Sequence, residues 1–115
     1  MSIKQERVQE LLLAHLSSAI LTEVTDPALR NITITDVRVD KEIQYADIYV
    51  HALGDDGREA AVMAGLKRAN GFLRSTLAKR LRLRQMPVLH FHWDAQLAAA
   101  DHMDDLLNSL DKPPS

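Results

Sequence analysis

Val8, Leu12, Leu16 and Ile20 are spaced by four residues, with Leu11, His15 and Ala19 beside them. One apolar stripe at that period predicts an amphipathic helix. Asp26-Pro27 should stop it near Thr25, because proline disfavours helix at the residue before it. From Asn31 to Val39 the chain is rich in β-branched residues (Ile32, Thr33, Ile34, Thr35, Val37, Val39), which predicts a strand. Its alternation changes phase between Ile34 and Val37, as a bulge, a twist or burial on both faces would require. Asp40 to Gln44 is a short polar loop. Tyr45 to Leu53 then alternates cleanly, with Ala46, Ile48, Val50 and Ala52 on one face and Tyr45, Asp47, Tyr49 and His51 on the other.

Gly54-Asp55-Asp56-Gly57 breaks the chain and offers a helix cap. A helical pattern follows to about Leu83. Gly71 interrupts it, at a cost of about 1 kcal/mol relative to alanine. Asn70-Gly71 also adopts positive backbone angles readily. Two helices meeting at a kink are therefore expected, with Phe72, Leu73, Leu77 and Leu81 on the buried side of the second. Beyond Pro87, Val88 to Trp93 is a third strand, with Leu89, Phe91 and Trp93 on one face and Val88, His90 and His92 on the other. Ala95 to Leu110 has the apolar positions of a short last helix.

The order is helix, strand, strand, kinked helix pair, strand, short helix. Three strands with helices over one face make an α+β two-layer domain. The passage from the second strand through helices to the third is a crossover, so the sheet should be mixed. The expected organisation is one domain over residues 1–110 and a flexible tail over 111–115.

At 115 residues the chain suits one domain that buries about two thirds of its unfolded surface. Without cysteine, disulfides, thiolate metal sites and a cysteine nucleophile are excluded. The first ten residues show no basic start followed by an apolar run, so a signal peptide is not expected. No stretch approaches the roughly 18 to 20 apolar residues of a bilayer span, and a cytoplasmic location is the default expectation. Charge changes the picture more. The net value is −2, yet half of the 14 Lys and Arg residues fall between Lys67 and Arg84, a stretch with no Asp or Glu. All 16 carboxylates lie elsewhere. Such a chain can offer a basic face to a polyanion while staying soluble.

Several segments, in this order, resemble the ribosome-binding factor A family. They are Glu23-Val24-Thr25-Asp26-Pro27-Ala28-Leu29, Ile32-Thr33-Ile34-Thr35-Asp36-Val37 and Tyr45-Ala46-Asp47-Ile48-Tyr49-Val50. Ala69-Asn70-Gly71-Phe72-Leu73-Arg74 leading into Leu81-Arg82-Leu83-Arg84, and Pro87-Val88-Leu89-His90-Phe91 with Asp94, complete the set. The resemblance runs from about Arg7 to Leu107 and implies a fold similar to the type II KH domain. Ordinary KH domains clamp RNA backbone with a GxxG loop between two helices. Here Ala69-Asn70-Gly71 looks like the family's Ala-x-Gly kink in that place. The resemblance further implies a non-enzymatic factor, without cofactor or small-molecule substrate. Such a factor binds the immature 30S subunit as a monomer and assists late maturation of 16S ribosomal RNA around its 5′ end, with a link to growth in the cold.

The candidate RNA contacts are Lys67, Arg68, Asn70, Arg74, Lys79, Arg80, Arg82 and Arg84, with Ala69 and Gly71 at the kink. A charge run is also the ordinary make-up of a solvated helix face, and seven cations cannot all share one side. His90-x-His92 suggests a metal, with Asp94 or His51 as further ligands, but packed strand histidines are commoner and no metal is expected. Asp36, Asp40, Glu42 and Asp47 fit a solvated loop better than an acid–base pair. Phe72, Phe91 and Trp93 are expected in the core, so base stacking on a sheet platform is not. Two other readings stand beside the resemblance: a general KH-like binder of single-stranded RNA, and a small α+β interaction or metabolite-binding protein that binds no nucleic acid.

Overall fold

The computed structural model describes residues 2–52 and 56–95. Its first helix, α1 (Ile3–Thr22), begins with a reciprocal cap. The Ser2 hydroxyl accepts from the Gln5 N–H at 3.1 Å, and the Gln5 side-chain carbonyl accepts from the Ser2 N–H at 3.0 Å. Val8, Leu12, Leu16 and Ile20 are all buried, as their spacing predicts. After α1, the Asp26 side chain accepts from the Ala28 N–H and starts a 3-10 turn, Pro27–Leu29, which drives Leu29 into the core.

Strands β1 (Thr33–Val39) and β2 (Tyr45–His51) pair antiparallel. The change of phase seen in the sequence is a register shift between Ile34 and Asp36, a bulge that restores Val37 and Val39 to the inner face. Asp40 organises the connecting loop: its carboxylate accepts from the Gln44 and Tyr45 N–H groups, both at 2.7 Å. Those bonds, Tyr45's first, hold the Asp40 carboxyl below its ordinary range. Ile43 turns the loop with φ 57°.

Helix α2 (Glu59–Leu81) follows a 3-10 turn, Asp56–Arg58, and leads to β3 (Val88–Trp93), which pairs parallel with β2. The sheet order is β1-β2-β3 and the sheet is mixed. Both helices pack on one face, over Val37, Val39, Ala46, Ile48, Val50 and Leu89. Trp93 reaches the buried end of β2 and packs on His51, ring centroids 4.7 Å apart.

Helix side chains occupy backbone groups on both outer strands. On β1, the Gln9 side chain accepts from the Val39 N–H (3.0 Å) and Gln5 donates to the Val39 carbonyl (3.2 Å). On β3, Asn70 donates to the Leu89 carbonyl at 3.2 Å.

Three expectations need correction. The helix pair is one helix: α2 is unbroken through Ala69-Asn70-Gly71, and Gly71 has no positive φ. A single glycine costs about 1 kcal/mol, whereas Leu66, Leu73 and Leu77, fully buried on either side of it, each contribute about 1.5–3 kcal/mol. The N-cap of α2 is Arg58, just after the expected 54–57 stretch, and it makes no side-chain cap bond. Phe72, expected in the core, is 48% exposed. The expected last helix from Ala95 to Leu110, the domain end at 110 and the tail at 111–115 lie outside the described residues apart from Ala95.

Candidate nucleic-acid interface

Helix α2 has two unlike surfaces. Val62, Gly65, Leu66, Leu73 and Leu77 are buried against the sheet, α1 and the Pro27–Leu29 turn. The remainder faces outward and carries Lys67, Arg68, Arg74, Lys79 and Arg80, all exposed. Arg82 and Arg84 follow at the helix exit.

The eight candidate contacts divide into two groups. Four reach partners within the protein. Arg68 donates through Nε (3.0 Å) and a terminal nitrogen (2.8 Å) to one Asp26 carboxylate oxygen. The Ala28 N–H first, then Arg68, hold the Asp26 carboxyl below its ordinary range. Arg80 pairs with Glu23. Asn70 holds β3 through Leu89, and Arg74 donates to the Met86 carbonyl at 3.1 Å. The other four, Lys67, Lys79, Arg82 and Arg84, make no ion pair among the described residues.

The three residues of the expected kink have separate surroundings. Ala69 packs against the core, Asn70 turns to β3, and Gly71 faces open space with nothing within 4 Å of a Cβ built on it. At the exit, Arg82 caps the helix in the left-handed conformation (φ 51°, ψ 38°), where glycine is the usual residue. Phe72 is exposed between the cations, beside an open groove of about 380 Å³ between α2 and residues 23–26.

The ion pairs join residues 42 and 57 positions apart, beyond the reach of local pattern. Phe72 was accessible to a stricter count. Leu66, Leu73 and Leu77 fix the buried stripe, and Phe72 lies one residue, about 100°, off it.

The outer sheet face, opposite the helices, is lined by rings. Tyr45 stacks on His90 at 5.5 Å and Tyr49 on His92 at 5.1 Å, while His92 Nε2 lies 2.8 Å from an Asp47 carboxylate oxygen. Asp94 accepts from the Thr35 hydroxyl. Among the described residues no group of three His, Cys, Asp or Glu could hold a metal ion, and no helix is long and apolar enough to cross a membrane.

A mixed three-stranded sheet and two helices on one face, the second of them a crossover with a cationic outer side, define a small KH-like α+β domain. The chain belongs to the ribosome-binding factor A family, whose model matches residues 4–107. It is similar to the crystal structure of ribosome-binding factor A from Thermus thermophilus, with 28% identity and a TM-score of 0.69 over 77% of this chain and 93% of that one. A Thermotoga maritima protein solved by NMR shares 30% identity and a TM-score of 0.70, over 80% of this chain and 88% of that one. A third similar structure is a homology model of the Thermus thermophilus factor fitted into a cryo-EM map of a 30S complex of that protein. It has 29% identity and a TM-score of 0.58, over 83% of this chain and 97% of that one.

Proposed function

We propose that this protein is a non-enzymatic assembly factor that binds the immature 30S subunit as a monomer in the cytoplasm. It contacts 16S ribosomal RNA through the outer side of α2 and assists late maturation of that RNA around its 5′ end, most critically in the cold. The observation that carries the reading is the acid-free stretch from Lys67 to Arg84, where Lys67, Lys79, Arg82 and Arg84 keep their charge outside any ion pair among the described residues. A polyanion gains most from such cations, because no internal partner must be given up to meet a phosphate. Membership of the family, and a relative fitted into a 30S complex, support the choice of partner.

The test is co-sedimentation with small subunits from cells lacking the protein. Changing Lys67, Lys79, Arg82 and Arg84 together to Glu should abolish it while leaving the melting transition in place. Each single change to Ala should lower the salt slope of binding by about one. Unchanged binding by the fourfold variant would remove α2 as the contact. The deletion strain should accumulate 16S precursor with an unprocessed 5′ end, more at low temperature.

A further inference from the structure

We infer that the groove beside Phe72 receives a single unstacked base of the bound RNA, with the Phe72 ring as its platform. The inference rests on the RNA-binding reading above and adds a base contact to a surface otherwise described by charge. Phe72 lies half exposed on a helix with enough apolar residues to fill its buried stripe without it. The same side of α2 carries Arg68 one turn before it and Lys79 and Arg80 two turns after it. An aromatic face between cations is the arrangement that holds single nucleotides: the ring stacks the base and the cations take the flanking phosphates.

Geometry favours this occupant. The groove is bounded by residues 23–26 on one side and by Arg68, Ala69 and Phe72 on the other, and its two carboxylates are each paired with an arginine, Glu23 with Arg80 and Asp26 with Arg68. Asp26 holds Arg68 at its rim, yet the Arg68 side chain is still 61% exposed, leaving donors for a phosphate. Lys79 has no ion-pair partner among the described residues. Gly71 leaves open space next to the ring, so a sugar–phosphate backbone can approach the helix where a larger side chain would stand.

The experiment uses the full chain and purified immature 30S subunits. Phe72→Ala should weaken binding roughly 5- to 150-fold, the usual loss for one stacked base, with the salt slope unchanged because no charge is removed. Phe72→Trp should bind like the wild type and lose emission on binding as the indole stacks. Phe72→Leu, which preserves packing, should bind as weakly as the alanine variant. With p-benzoylphenylalanine in place of Phe72, irradiation of the complex should give a crosslink to RNA. Wild-type affinity of the alanine or leucine variant would overturn the inference, as would a crosslink to a ribosomal protein instead of RNA. Failure of the wild-type chain itself to bind subunits would overturn the underlying RNA reading, a result visible without any variant.

Discussion

Gly65 and Gly71 lie six residues apart on α2 in opposite surroundings. A Cβ on Gly65 would meet Leu29 Cδ2 at 3.0 Å and Ala28 Cβ at 3.2 Å; one on Gly71 would meet nothing within 4 Å. The first glycine lets the helix sit against the Pro27–Leu29 turn. The second has no such use and still carries the helix penalty of about 1 kcal/mol. Next to it is an exposed phenylalanine, and about three turns on the helix ends in an arginine in the left-handed conformation. Local rules are kept where α2 meets the core and broken where it meets solvent, which is the distribution expected of a surface selected for a partner.

Substitutions on each side should sharpen that contrast. On the packed side, Leu66→Ala should cost about 2–5 kcal/mol in denaturant unfolding, since Leu66 is fully buried. Gly65→Ala should cost about 1 kcal/mol net, the crowding of buried Leu29 outweighing the helix gain. On the open side the sign reverses. Gly71→Ala should stabilise by about 0.5–1 kcal/mol, read as a rise in melting temperature. Arg82→Gly should gain a few tenths of a kcal/mol by relieving the left-handed arginine, and it should weaken subunit binding as a lost cation does. The contrast would break if Gly71→Ala destabilised the fold, since the glycine would then have a structural role.

The smallest effect is in acid. Asp26 titrates below its ordinary value when folded, so its contribution is present above the unfolded pKa and lost as pH falls through the folded one. Asp26→Asn keeps a capping side chain and removes the charge. It should flatten the decline of stability below about pH 4, measured as urea midpoint against pH.

Much of the fold was legible because it rests on short-range periods. The α1 stripe buries as spaced, β3 has the predicted limits, and the phase change in β1 is a bulge. The unbroken α2 was less visible, because Gly71 signals locally while Leu66, Leu73 and Leu77 act through tertiary burial. His51 alternates with Tyr45, Asp47 and Tyr49 in the sequence, yet it is fully buried, with Trp93 packed against it. The candidate site was legible as a charge run and illegible as a contact list. Which cations are occupied depends on Glu23, Asp26 and the Met86 carbonyl, which only the folded chain brings to α2.

The α1 glutamines that bond the outer edge of β1 bear on how the chain behaves in a crowded solution. An edge strand with free N–H and C=O groups is a template for another chain, and a net charge of only −2 offers little mutual repulsion against such pairing. Gln5 and Gln9 take the place of a neighbouring strand at Val39, and Asn70 does the same at Leu89 on the opposite side. Amyloid-like growth along the sheet would have to displace these amides first, at both edges.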